Sequence, residues 1–464
     1  MIPGRGFVFI SDLSSARTGI GHSMTQPRRA FLTIGHDSAR LEAFPKRNDA
    51  PAGPTRRQAV ALIAGLLASR LAGGEAKAAG GSYPRLSRGV NFHHMLNWPE
   101  THSLNGRQDY VWPPFQAAQY RIENSQLAQL KALGFDFIRL TVDPSILISA
   151  DDEKWRFLGR HIRDVVEQLL SAGLNVLFDL HPVAVNPDYR PEALAQSEDS
   201  APFRAYVEMV RRVAEILREF PPRRVVFELM NEPRLTNLAQ APQWQTMLER
   251  LHASARAAGP DLPLMLTGML WSDRVALMKL DTRPFRGSNV LYTFHYYDPH
   301  TFTHQGVKGD DAQFVSGLGW PTTKENVAQV DEWAAREIAA RPDLDPAKQA
   351  GALARTRQLL QNLLAKNSSE ETIHHDFKQV ADWAQANGLA ADQIVLGEFG
   401  CVLASNGRVL DDSRLAWLAA VRKTAEANGF GWSYWAYKGN GGMELVNSTG
   451  ALHKDLIAPL GLSG

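Results

Sequence analysis

The chain has 464 residues, a net charge of +1, 44% hydrophobic and 21% charged residues, and one cysteine. So small a net charge leaves no electrostatic footprint for nucleic acid or an anionic membrane, and one cysteine excludes an internal disulfide. The composition is that of a soluble globular protein with an ample core, in one large domain or two ordinary ones.

Residues 1–55 are rich in Arg, Ser, Gly and Pro and lack sustained apolar periodicity, which predicts disorder or a start downstream of Met1, with Met24 one candidate. Thr55-Arg56-Arg57-Gln58, the apolar run Ala59 to Leu71 and Ala76-Lys77-Ala78 then follow in the order of a bacterial export signal. Arg70 interrupts the run, and Arg28-Arg29-Ala30-Phe31-Leu32 matches a twin-arginine motif better but has no apolar region behind it. The run is too short to span a bilayer. The expectation is an exported protein, periplasmic or extracellular, with residues 1–80 disordered or removed, a mature start near Ala79 and no stable membrane anchor.

From Arg88 onward short apolar runs alternate with helical patterns, the mark of a parallel sheet wrapped by helices. The strand candidates are Gly89 to Met95, Phe135 to Val142, Asn175 to Pro182, Val225 to Glu232, Leu264 to Trp271, Val290 to Tyr297, Ile394 to Phe399 and Gly431 to Tyr437. Helical patterns lie between them, such as Asn124 to Leu133, Phe157 to Ala172 and Pro202 to Phe220, several closed by glycine (Gly134, Gly173, Gly429). Eight such units predict an α/β fold of the (β/α)8 TIM-barrel type over residues 81–464. A doubly wound sheet is the rival, but no Gly-x-Gly-x-x-Gly turn follows any strand. The spacing from Tyr297 to Ile394 is far longer than the others and predicts a helical insertion after strand six, about residues 298–392, with patterns from Lys324 to Leu364 and Glu370 to Asn387.

Two strands end in glutamate. Val225-Val226-Phe227-Glu228-Leu229-Met230-Asn231-Glu232-Pro233 stops at a proline that ends ladder pairing, and Ile394-Val395-Leu396-Gly397-Glu398-Phe399-Gly400 flanks its glutamate with glycines that admit close neighbours. Alone, Glu232 also fits a cap or an ion pair. Two glutamates at the same end of two strands point to a carboxylate pair, the equipment of glycosidic-bond hydrolysis.

Leu229-Met230-Asn231-Glu232-Pro233 and Gly397-Glu398-Phe399-Gly400 resemble the acid/base and nucleophile strands of glycoside hydrolase family 5, retaining β-glycosidases on (β/α)8 barrels. The resemblance covers roughly Arg88 to Gly439. The family carries Arg on strand two, His on three, Asn-Glu on four, His and Tyr on six, Glu on seven and Trp on eight. This chain offers Arg139, His181, Asn231, Glu232, His295, Tyr297, Glu398 and Trp435 in that order.

The resemblance implies Glu398 as nucleophile, held ionised at a low pKa by Arg139 and the Tyr297 hydroxyl, and Glu232 as acid/base oriented by His295. Asn231 then meets the sugar 2-hydroxyl, His181 binds sugar hydroxyls, and Trp435 stacks on a pyranose. Trp98, Trp112, Trp271 and Trp320, in or beside loops and strand ends, are candidate outer platforms, with His94 a further sugar contact. The partner expected is a polysaccharide or oligosaccharide and the protein a monomer without cofactor. His93 and His94 point to opposite faces of a strand, so they form no metal site. Cys401 lacks a base-and-oxyanion motif and reads as a small core residue. The resemblance favours a cellulase-like endo-β-1,4-glucanase; mannan, xyloglucan and bacterial exopolysaccharide fit the same residues, and a non-catalytic glycan-binding barrel and a metal-dependent hydrolase are the rivals.

Overall fold

Runs of Val, Ile, Leu and Phe too short for a helix form the strands, and they close into a ring. The computed structural model describes residues 83–463 apart from 105–106, 406–407, 410 and 440–441; the expected disorder and export signal of residues 1–80 lie outside the described residues. The strands are β1 (Arg88–Leu96), β2 (Phe137–Val142), β3 (Asn175–Leu180), β4 (Val225–Glu228), β5 (Leu264–Thr267), β6 (Val290–His295), β7 (Ile394–Phe399) and β8 (Gly431–Tyr434). Each pairs in parallel with its sequence neighbours, and β8 pairs with β1, giving a closed eight-stranded barrel. All eight expected strands are present, most of them shorter than the apolar runs. Glu232 stands four residues beyond the last ladder residue of β4, in a turn rather than on the strand.

Helices α1 (Asn124–Leu133), α2 (Asp152–Ser171), α3 (Ala201–Leu217) and α4 (Ala241–Ala258) follow the first, second, third and fourth strands. Gly134 ends α1 at φ 104°, a left-handed conformation that a Cβ would penalise. A short turn of helix, Arg274–Leu277, joins β5 to β6. Between β6 and β7 lie α5 (Lys324–Ala339), α6 (Pro346–Lys366) and α7 (Glu370–Ala386), and α8 (Asp411–Ala427) precedes β8. The pattern from Lys324 to Leu364, read as continuous, is two helices. Pro342 lies in the break, and Asp345 caps α6 by accepting from the Lys348 N–H with Pro346 in the first turn.

The alternation of a strand sorts the barrel into layers. Outward residues such as Ile138, Leu140, Val176, Phe178, Phe227 and Leu396 join the helices in the main apolar core. Inward residues at the amino-terminal end (Leu86, Phe137, Leu177, Val226, Met265, Leu291 and Val395) form a separate apolar plug. Further along the same face the interior turns polar: Asn91, Arg139, Asp179, Glu228, Thr267, Thr293 and Ser433, all buried. The site stands on this layer.

β7 breaks the alternation. Phe294 pairs with Leu396 but His295 pairs with Glu398, so Gly397 is an extra residue, a bulge that turns Glu398 from the outer to the inner face. A Cβ on Gly397 would lie 2.5 Å from Thr293 Oγ1 and 3.2 Å from His295 Nε2. Gly397→Ala should therefore cost about 1–3 kcal/mol from overpacking, read as a lowered Tm. Gly351→Ala, on α6 with nothing within 4 Å of the new Cβ, should instead stabilise by about 0.5–1 kcal/mol.

Candidate active site

A guanidinium has five N–H donors and no acceptor, and all five on Arg139 are used. Nε donates to Glu228 Oε2 (2.8 Å), Nη2 to Glu228 Oε1 (2.8 Å) and Asn231 Oδ1 (2.8 Å), and Nη1 to Asn91 Oδ1 (2.9 Å) and Glu398 Oε1 (2.7 Å). Asp179 Oδ2 lies 3.0 Å from Nη2 as a further ion-pair partner. Arg139 sits on β2, in register with Asn91 of β1, so neighbouring strands supply its shell.

Glu398 takes its second oxygen contact from the Tyr297 hydroxyl (2.9 Å), and His295 Nδ1 lies 3.5 Å from the same oxygen. Glu232 is held differently. Its φ of 44° is in the left-handed region, a strain of order 1–3 kcal/mol that surrounding contacts must sustain. Its N–H donates to Ser272 Oγ (3.2 Å), and its Oε1 lies 2.9 Å from His295 Nδ1. Ser272 reaches it because Leu270, Trp271 and Ser272 form a left-handed turn after β5, at φ 55°, 58° and 58°. The Glu232 side chain is 26% exposed and that of Glu398 5%, so Glu232 stands nearer the opening.

Burial pushes both carboxyls above the ordinary glutamate range. On Glu398, His295 and Arg139 oppose the shift and Glu232 adds to it; on Glu232, His181, Arg234 and Arg139 oppose it. The expectation that Arg139 holds Glu398 at a low pKa is thus corrected. That one cation is shared with Glu228 and Asp179, both fully buried, so its pull on Glu398 does not outweigh desolvation. Asp179 is pushed up to about 7 by burial, and the His181 and His295 rings are pushed down to about 4, which keeps them neutral at neutral pH.

The amide of Asn231 lies between Arg139 and His181, its Nδ2 3.4 Å from His181 Nε2. The half-buried Trp435 stacks with His181 (5.5 Å between ring centres, 11°) and with His93 (5.4 Å, 30°). His94 instead packs on Phe92 and Tyr437 with both ring nitrogens buried, so His93 is the member of the pair beside this cluster. Trp98, Trp112 and Trp271 are exposed by 38%, 37% and 44%, on loops after β1 and β5. Trp320 is corrected: it is 6% exposed, with Nε1 on Ser368 Oγ, a core residue with no face to offer a ligand. Cys401 is buried and its thiol pushed up, as a core residue would be. Glu228 and Asn91 were missed; the signal available was a charge and an amide within apolar strands, on the inward alternation.

A carboxylate oxygen of Glu232, a ring nitrogen of His295 and a carboxylate oxygen of Glu398 all lie within 4.8 Å of one another. Such a set could ligate a cation, but the Arg139 guanidinium 2.7 Å from Glu398 is a fixed positive charge that opposes one. Two carboxylates at the carboxyl ends of parallel barrel strands, one on a buried arginine and the other on a neutral histidine, form a pair of the kind that glycosidic-bond hydrolysis uses, here on a (β/α)8 barrel.

The profile of Cellulase (glycosyl hydrolase family 5) matches residues 100–441, and the chain belongs to that family. It is 24% identical over 369 residues to Endoglucanase 3 of Fibrobacter succinogenes, covering 76% of this chain and 50% of that protein. The barrel is similar to cellulose synthase subunit Z (CcsZ) of Clostridioides difficile, with a TM-score of 0.55 and 22% identity over 81% of this chain and 99% of the other. It is also similar to Cel5A of Thermotoga maritima in complex with cellobiose, with a TM-score of 0.55 and 20% identity over 81% of this chain and 97% of the other. The chain spans about half the length of the curated relatives it matches.

A donor to an ionised carboxylate lowers its pKa. Tyr297→Phe removes one of the contacts to Glu398 and should move the titration of that carboxyl further upward, seen as an upward shift of the acidic limb of kcat/KM with little change in the alkaline limb.

Proposed function

We propose that the chain is an endo-acting β-1,4-glucanase that cleaves with retention of anomeric configuration. The observation that carries retention is the short separation of Glu232 and Glu398, with an oxygen of each inside 4.8 Å. Retaining pairs stand about 5–5.5 Å apart, whereas inversion needs about 6.5–9.5 Å to admit a water.

Glu398, ionised, attacks the anomeric carbon as Glu232 passes its proton to the departing glycosidic oxygen, leaving a glycosyl ester on Glu398. Esterification removes the negative charge of Glu398, so ionising Glu232 no longer places a second negative charge beside the first. Glu232 then takes a proton from water, whose oxygen displaces Glu398 from the sugar. The unequal exposure of the pair supports this division, because the acid must reach a leaving group that departs outward. Asn231 meets the 2-hydroxyl of the sugar being cleaved, a contact that tightens in the oxocarbenium-like transition state. Trp435 offers the same sugar an apolar face.

The ring order supports endo action. β1 and β5 lie opposite each other in the barrel, so the loop that carries Trp98 and Trp112 and the turn that carries Trp271 leave opposite sides of the ring. Aromatic surfaces on both sides suit a chain held through its middle. The endoglucanase relative supports β-1,4-glucan. The order of Arg56-Arg57, the apolar run and Ala76-Lys77-Ala78 supports action after export, and a secreted chain beginning near Ala79 is the expected result of amino-terminal sequencing.

Glu398→Ala should be inactive yet partly rescued by azide, giving a glycosyl azide of inverted anomeric configuration; that product from Glu232→Ala instead would exchange the two roles. Trp98→Ala and Trp271→Ala should each weaken hydrolysis of soluble β-glucans more than that of a short aryl cellobioside and shift the product lengths. An exo pattern of single-size products from the unaltered enzyme would overturn the endo reading.

A further inference from the structure

Hydrogen directions in the polar layer are forced from one end. Arg139 can only donate, so the atom of Asn231 facing Nη2 at 2.8 Å is the amide oxygen, and the amide nitrogen is turned toward His181 Nε2, 3.4 Å away. An amide nitrogen only donates, so Nε2 accepts and carries no proton. The neutral ring therefore keeps its proton on Nδ1, which lies 2.8 Å from Asp179 Oδ2. All five N–H groups of Arg139 have other acceptors, so the His181 N–H is the donor that Asp179 receives.

Asp179 is fully buried, and its Oδ1 has no hydrogen-bond partner among the described residues. A carboxylate so placed is costly, and the benefit lies at the other end of the relay. Were Asp179 protonated and donating to Nδ1, the ring proton would move to Nε2 and face the amide N–H group of Asn231. Two donors would then oppose each other, and the amide could relieve this only by turning its nitrogen onto the guanidinium. The stack of His181 on Trp435 keeps the ring from rotating out of the relay.

We propose that Asp179 is a positioning residue: through the tautomer of His181 it fixes the Asn231 amide so that an N–H is presented to the 2-hydroxyl of the sugar being cleaved. The inference rests on the contact between Asn231 and that hydroxyl given above. It adds a residue that touches no substrate but acts on the contact strengthened in the transition state.

The test compares an aryl β-cellobioside with its counterpart lacking the 2-hydroxyl on the sugar that is cleaved. The unaltered enzyme should prefer the hydroxylated substrate in kcat/KM, and Asn231→Ala should abolish the preference. Asp179→Ala should shrink it several-fold, up to about tenfold, the scale of one hydrogen bond between neutral groups, chiefly through kcat. Asp179→Asn should restore most of it, because Arg139 rejects an amide nitrogen and so keeps an acceptor oxygen toward Nδ1–H. Asp179→Ala slowing both substrates equally, while Asn231→Ala loses the preference, would overturn the inference alone. Asn231→Ala retaining the preference would overturn the reading of Asn231 and this inference with it. Independently of any variant's folding, 15N NMR of the unaltered enzyme should show His181 protonated at Nδ1; a proton on Nε2 would overturn the proposal.

Discussion

A guanidinium buried inside a ring of parallel strands has lost its water and must find every replacement in protein. Arg139 does so with two oxygens of Glu228, one each of Glu398, Asn231 and Asn91, and the nearby carboxylate of Asp179. An unpaired buried charge would be prohibitive, whereas a charge with every donor satisfied is tolerable and admits few alternative arrangements. The cation fixes the rotamer of Glu398, the face of the Asn231 amide and, through them, the geometry of the rim. It also carries a shortage, since one positive charge serves three buried carboxylates. That shortage, with desolvation, keeps the carboxyls above their ordinary range.

The two glutamates reach the same few ångströms by different devices. Glu398 is turned inward by a bulge that needs a glycine, because a Cβ would collide with Thr293. Glu232 lies past the end of its strand in a left-handed conformation, sustained by Ser272 from a turn that is itself left-handed. Neither residue sits where regular strand geometry would leave it, and His295 lies within reach of both. Strain of this kind is stored where a barrel has rigid walls to hold it.

Above this fixed layer the loops differ in their readiness to meet a ligand. The loops after β1 and β5, on opposite sides of the ring, expose tryptophans, whereas the loop between β6 and α5 buries its tryptophan, Trp320. The short loop residues Tyr297 and Asp298 bind the site to the rest of that segment. Tyr297 holds Glu398, while Asp298 and Asp376 of α7 share Arg274, which follows the turn that supports Glu232. Among the described residues no helix is long and apolar enough to cross a membrane.

The sequence by itself determined the eight strands, their order and the residue that each carries at its carboxyl end, because apolar period, turn residues and the Asn-Glu-Pro stop are local. Arg139 was legible as a charge with no local reason to lie in an apolar strand. What only the tertiary structure decided is how that charge is divided. Glu228 and Asn91 face it because the barrel closes, and no local pattern says which distant carboxylate an arginine will choose. Trp320 was read as a platform on its place beside a loop, but it is buried, with its Nε1 on Ser368 between α6 and α7. The low pKa expected for Glu398 failed for the same reason: desolvation and shared ion pairing are properties of the assembled interior, and a linear sequence does not contain them.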